Sequence, residues 1–374
     1  MKDRNSIFKI NAEAVKKRKN LSNTGVLLLI TISLFVLMYV ISLFLFTDSN
    51  FAKYSVFFNL FNNKAYLLML ALGLTVVMIT GSIDISVGGV TGLISMVIAA
   101  MLMDGGVSAV WTIPVALGIG LAFGIVQGFL VSYLDIQPFI VTLSGMFFAR
   151  GMISVINTQS VPITDVMFMN WSSAKLYIPF LFNERKNGTR DIAYLTPAAI
   201  VAILVLIVMI VVLKKTKFGR SLYAIGGNTQ SALLMGINVR RTKFLAHVLC
   251  GLLAGIGGLL YTLFAPSGNP GNGYGYEIDA ISSSVIGGVM LTGGIGLPIG
   301  TFFGVLINAL IERVVPLLGI VEASWPRIIT SAFLFAFVVL QSVLVSASQK
   351  GGFKLLLPEW LRFGSNDKNK KIES

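Results

Sequence analysis

Ten apolar runs fill most of this chain, at 25–46, 65–80, 85–103, 110–133, 138–157, 192–213, 244–265, 278–291, 297–319 and 327–347. A helix needs about 20 apolar residues to cross a bilayer, and fewer where protein rather than lipid surrounds it. The bilayer core offers no water to the backbone, so each run must satisfy its own N–H and C=O groups by coiling into a helix. The fold class that follows is an all-α polytopic membrane protein of about ten transmembrane helices. Composition agrees. Of 374 residues, 55% are hydrophobic and 12% charged, where a soluble domain carries about 25% charged residues. The 38 glycines suit helices whose backbones approach closely.

Net charge is +13. In a soluble chain that would point to nucleic acid. Here the basic residues gather in three short segments, and no nucleic-acid partner is expected. The first is an N-terminal arm, 1–24, with Lys2, Arg4, Lys9, Lys16, Lys17, Arg18 and Lys19. The second is a loop, 214–243, with Lys214, Lys215, Lys217, Arg220, Arg240, Arg241 and Lys243 and no acid. The third is a tail, 348–374, with Lys350, Lys354, Arg362, Lys368, Lys370 and Lys371. Lys and Arg near helix ends accumulate on the cytoplasmic side. An even number of crossings puts both termini and the 214–243 loop on that side and the polar segment 158–191 outside. The membrane domain is then 25–347. Its first run is too long for a secretory signal core and lacks a small-residue cleavage site. With Cys250 as the one cysteine, neither an intrachain disulfide nor a cysteine metal cluster is expected.

Two pairs of segments hint at an inverted internal repeat, an arrangement that places transport sites near the repeat interface. Ile83-Asp84-Ile85 followed by Gly88-Gly89 resembles Ile278-Asp279-Ala280 followed by Gly287-Gly288. Gln137-Pro138-Phe139-Ile140-Val141-Thr142 resembles Trp325-Pro326-Arg327-Ile328-Ile329-Thr330.

The 214–243 loop holds the most telling local pattern. Asn228 is suited to capping a helix start, and Gly236 to ending it in the left-handed conformation. The helix between them, about two turns long, would show Ala232, Leu233 and Met235 to a partner. A helix so short is marginal alone in water and needs something to pack against. Local physics leaves two readings open, a solvated basic loop or a docking helix for a cytoplasmic motor.

The stretch 216–238 resembles the cytoplasmic coupling loop of ribose-type ABC sugar permeases. Three further blocks are similar to that family and keep its order. They are Thr80-Gly81-Ser82-Ile83-Asp84-Ile85-Ser86-Val87-Gly88, then Pro138-Phe139-Ile140-Val141-Thr142-Leu143 with Arg150-Gly151, then Tyr276-Glu277-Ile278-Asp279-Ala280-Ile281 with Gly287-Gly288 and Gly293-Gly294-Ile295-Gly296. Segments 145–151 and 160–163 look closest to galactofuranose-type permeases. Ser282-Ser283-Ser284 departs from the family, which has small apolar residues there.

The resemblance implies a permease subunit of a binding-protein-dependent importer for a ribose-, galactose- or galactofuranose-like monosaccharide, in the bacterial cytoplasmic membrane. It implies as partners a tandem-cassette ATPase that uses ATP and Mg, a second, identical or related permease, and an extracytoplasmic sugar-binding protein. No Gly-x-x-x-x-Gly-Lys-Ser/Thr phosphate loop occurs in the chain, so no ATP site, enzyme activity or cofactor of its own is expected. The coupling residues carried over are Gly226, Gly227, Asn228, Leu233, Met235, Gly236 and Arg240. Candidates for the translocation path are Asp84, Gln137, Pro138, Arg150, Trp325 and Pro326. Asp84 and Arg150 qualify because charge inside a membrane is a functional hypothesis by default, though a helix cap for Asp84 and a structural pairing for Arg150 weigh more. The same machine with nucleoside, furanone-signal or branched-chain amino-acid cargo, and an ion-coupled transporter working through Asp84, Arg150 or Glu312, are the rival readings.

Overall fold

The computed structural model of the chain describes residues 23–47, 51–103, 107–184, 190–320, 322 and 324–349. Nearly all of the basic arm and tail therefore lies outside the described residues, as does 185–189 of the 158–191 segment.

Seven described helices are long and apolar enough to cross a membrane. They are α1 (Asn23–Leu45), α5 (Thr112–Tyr133), α6 (Pro138–Ile156), α8 (Pro197–Lys215), α11 (Val239–Phe264), α13 (Pro298–Leu317) and α14 (Trp325–Gln349). Two further helices, α2 (Tyr54–Asn62) and α3 (Ala65–Ile79), are long and apolar enough only when taken together, and they meet at a bend of 51°. Two apolar helices are shorter, α4 (Val87–Met103) and α12 (Tyr276–Ile286). Every run read from the sequence thus falls on a helix. The rest of the chain supplies α7 (Val166–Ser173), α9 (Lys217–Gly227) and α10 (Thr229–Leu234).

All fifteen residues of α3 are buried. A helix that is apolar all round belongs inside other helices, and α3 accordingly forms the axis of the bundle. Around it, small residues set the spacing. On α5, Gly120, Gly124 and Gly128 recur every fourth residue, and Gly251 and Gly255 do so on α11. A Cβ at Gly251 would lie 2.7 Å from the Gly124 backbone, and one at Gly255 2.8 Å from the Ala116 carbonyl oxygen. Only side-chain-free backbones can touch this way, the small-x-x-x-small packing of membrane helices.

Two expectations need correction. Residues 192–195 are not helical but belong to strand β3 (Arg190–Leu195), which pairs antiparallel with β2 (Leu176–Glu184). The helix starts at Pro197 because Thr196 caps it, accepting from Ala199 N at 3.2 Å. A proline at the first helical position lacks only an N–H that has no partner there anyway. The 158–191 segment is therefore folded rather than a plain loop. It also carries α7 and a short ladder between β1 (Val161–Pro162) and β4 (Ser267–Gly268). In the second correction, α12 stops at Ile286 instead of running to 291. Gly288 takes φ +87, and the chain leaves the helix there.

The repeat pairs fare differently. Gln137-Pro138 and Trp325-Pro326 both open helices with proline in the first turn. Asp84 lies in extended chain before α4, whereas Asp279 lies inside the first turn of α12, so that pair shares residues but not local structure.

Candidate functional site

The 214–243 segment is built by three consecutive caps. Thr216 accepts from Gly219 N at 3.1 Å and starts α9. Asn228 accepts from Ser231 N at 2.8 Å and starts α10. Asn238 accepts from Arg241 N at 2.9 Å and starts α11. Each oxygen satisfies one of the orphan amides that a helix start leaves. Gly236, at φ +78, closes α10, with Ile237 N bonded back to Ala232 O at 3.0 Å. The Asn228 cap and the Gly236 stop thus take the forms their residue types dictate.

Exposure corrects one part of the expected face. Ala232 is fully buried, packed with Ile225 and Val239 in a small apolar cluster. The outward residues are Leu233 at 49%, Leu234 at 91% and Met235 at 67% exposure. Sequence reasoning missed Leu234. The signal was available, since on a helix Ala232 and its neighbour two positions on cannot share a face.

Gly226 explains how this tip is fixed to the bundle. A Cβ there would collide with the Ile79 carbonyl oxygen and the Gly294 amide. Gly294 N in turn donates to Ile79 O at 2.8 Å. Tyr223 Oη donates to Gly296 O at 2.7 Å, and burial pushes its phenol up to about 12, so the proton is held for that bond. A Cβ at Gly227 would meet nothing within 4 Å, so space gives no reason for glycine there. Arg240 forms a 3.5 Å ion pair with Asp135, both well exposed. It is a surface tie to the turn between α5 and α6.

The candidate path residues do not converge. Asp84 is buried and accepts from Ser86 N at 2.9 Å and from Ser86 Oγ at 2.6 Å, a local turn that leads into α4. Gln137 is exposed at the start of α6, with Pro138 beside it, and opens that helix rather than bending it. Arg150 clamps a loop. Its guanidinium donates to Asn272 O at 2.9 Å and Gly273 O at 2.8 Å and lies 5.1 Å from the Tyr274 ring centre. Arg327 holds the same loop by donating to Tyr274 O at 3.2 Å. Trp325 is exposed where α14 begins.

Pro326 alone of the six lines a polar cavity, of about 380 Å3, at the break between α2 and α3. Lys64, at the bend, is buried and ion-paired with Glu312 of α13 at 2.5 Å. Asp279 of α12, Arg327 of α14 and the rings of Tyr66, Tyr276 and Phe264 complete the wall. Five separate helices contribute, which is why no sequence window announced it. The described residues contain no cluster of His, Cys, Asp and Glu fit to hold a metal.

One helix joins the two regions. Lys64 stands before the first residue of α3 and Ile79 is its last, so α3 spans from the cavity to the contact with Gly226, about 22 Å at 1.5 Å per residue. The α12 segment does the same, beginning with Tyr276 in the cavity wall and leading to Gly294 and Gly296.

Residues 56–340 match the family model described as the permease component of a branched-chain amino acid transport system. The chain belongs to this permease family. It is 37% identical over 84% of its length to the inner membrane ABC transporter permease protein YjfF of Escherichia coli, covering 91% of that protein. It is 34% identical over 89% of its length to the fructose import permease protein FruG of Bifidobacterium longum, covering 96% of it. It is 33% identical over 82% of its length to the ribose import permease protein RbsC of Escherichia coli, covering 92% of it. No solved structure matches the chain.

Proposed function

We propose that this permease is the membrane-spanning subunit of a monosaccharide importer powered by a separate tandem-cassette ATPase. The observation that carries the coupling half of this reading is the tip of α10. Leu233, Leu234 and Met235 stand in the open on a helix of six residues whose base is anchored through Gly226. Three adjacent large apolar side chains on a polar, basic segment suit a protein partner better than water. The cargo half draws on the fructose and ribose import permeases among the relatives.

In this reading the 214–243 side, both termini included, is cytoplasmic, as its basic residues favour. A loaded sugar-binding protein docks at the opposite face, over the folded 158–191 segment. ATP binding draws the two cassettes together, and the α10 tip passes that movement through Gly226 to α3 and to the 293–296 turn. A second copy or a related permease completes the membrane unit, and sugar crosses at or near that interface. No covalent chemistry falls to this chain. ATP and Mg act on the partner.

The test is to purify the complex through a tag on this chain and measure ATPase activity with and without binding protein, across a sugar panel that includes galactofuranose. Activity that co-purifies and rises with one loaded binding protein is the expected result. Absence of any ATPase, with uptake driven by an ion gradient in vesicles, would overturn the reading.

A further inference from the structure

We propose that the cavity at the α2–α3 break is a sugar subsite of the permease itself, selecting cargo by its hydroxyl pattern after the binding protein has released it. The inference rests on the sugar-import reading and deepens it. Its first support is charge balance. Two cations, Lys64 and Arg327, and two carboxylates, Asp279 and Glu312, share one wall. A ligand with net charge would leave one charge uncompensated beside Lys64 and Asp279, the two buried members of the set, whereas a neutral polyol adds none.

The second support is unused hydrogen-bonding capacity. Asp279 is 7% exposed, and among the described residues no hydrogen bond or ion pair reaches its carboxylate. A carboxylate that opens on a cavity has room to accept further hydrogen bonds, and sugar hydroxyls donate them. The unmet capacity continues along the same helices. Ser282, three residues on from Asp279, is fully buried with its Oγ unpartnered. Asn308, one turn before Glu312 on α13, is 1% exposed with both amide atoms unpartnered. Spacings of three and four residues keep such groups on one helix face. On the α3 side of α12, which Ser282 does not share with Ser284 two positions on, Thr75 Oγ1 lies 2.7 Å from Thr301 Oγ1 and donates to Ser284 Oγ at 3.4 Å. Unmet polar capacity thus continues from the cavity along α12 and, separately, along α13.

The third support is shape. Tyr66, Tyr276 and Phe264 present aromatic surface beside these polar groups, with Tyr66 and Tyr276 ring centres 5.2 Å apart. Mostly apolar walls with a few placed polar groups are the pattern of small-molecule sites, which run from about 300 to 1,000 Å3. The cavity lies near the lower end of that range. A branched-chain amino acid, also without net charge, would put an apolar side chain against these charged and polar groups and offer Asp279 fewer donors.

The test uses the whole transporter in proteoliposomes, with its ATPase and binding protein. ATP-driven uptake is measured for the best sugar and for an epimer that differs at one hydroxyl, with a branched-chain amino acid as competitor. Asp279→Asn and Ser282→Ala are the variants. Ser282→Ala removes a hydroxyl with no partner and leaves the packing intact, so it keeps the test valid if Asp279→Asn fails to fold. The expected result is a shift of at least about fivefold in the sugar-to-epimer uptake ratio for Asp279→Asn and about threefold for Ser282→Ala. A merely structural role lowers both uptakes together and leaves the ratio unchanged, and that result in both variants overturns the subsite. Competition by the amino acid against uptake overturns the sugar as occupant. Wild-type transporter that takes up no sugar with ATP overturns the importer reading beneath the proposal.

Discussion

The α10 tip and the α2–α3 cavity solve opposite problems. The tip puts apolar side chains into the open on a basic segment. The cavity draws two charged side chains, Lys64 and Asp279, under cover among apolar helices, with Glu312 and Arg327 exposed at its mouth. Each runs against the usual placement of its residue types, and each does so at one end of α3. The contrast teaches what each region needs from outside. The tip gains by burying Leu233, Leu234 and Met235 against another protein. The cavity, with its charges already balanced inside the wall, gains only from a solute that brings hydroxyls.

The sharpest way to break this comparison is to cut the link between the regions. Gly226→Val forces a side chain into the Ile79 and Gly294 backbones. Overpacking against backbone is expected to cost about 3 kcal/mol or more, seen as lost thermal stability and lost uptake together. Next, the tip is tested alone. Leu234→Asp or Met235→Asp is expected to lower ATP-driven uptake at least about tenfold while membrane insertion and melting temperature hold, because neither side chain packs within the chain and exposed substitutions are usually within about 0.5 kcal/mol. Ala232→Asp, two or three residues away, is expected instead to unfold the tip, since Ala232 is buried.

The cavity carries its own asymmetry. Lys64 is 6% exposed and Glu312 45%. Glu312→Gln strands a buried ammonium, whereas Lys64→Met frees a carboxylate that already reaches solvent. Breaking a fully buried pair costs about 3–5 kcal/mol. Given the exposure of Glu312, about 2–3 kcal/mol is expected for Glu312→Gln and clearly less for Lys64→Met, read from thermal unfolding in detergent. Asn228→Ala removes one cap bond, about 1 kcal/mol, checked as faster amide exchange at Ser231. Arg240→Ala is expected to cost less than about 1 kcal/mol, because its partner Asp135 is equally exposed.

What was legible in the sequence followed from local rules. The caps at Asn228 and Gly236 depend on neighbours a few residues away, and both were read correctly. Helix positions followed from apolar length, with errors where Pro197 and Gly288 set the true ends. The Asp84 carboxylate accepts from Ser86, two positions on, in a turn before α4 rather than capping that helix, so local reasoning reached the neighbour but not the form. The cavity was invisible because Lys64, Asp279, Glu312 and Arg327 stand far apart along the chain and meet only through the break before α3. Arg150 was named for its charge, yet its partners are backbone carbonyls at 272 and 273, which a sequence does not announce. Pro326 was reached from a resemblance between segments, without sight of the wall it lines.

The most direct test of the link between tip and motor is a cross-link. Cys250, the one cysteine, is buried, so a cysteine placed at Leu234 is the one open thiol among the described residues. Phe180→Cys, at an exposed site on β2, serves as the control. A bifunctional reagent applied to membranes is expected to join Leu234→Cys to an ATP-hydrolysing subunit and to leave Phe180→Cys free of it. No adduct at 234, or the ATPase captured at 180 instead, would contradict the assignment of α10 as the coupling helix.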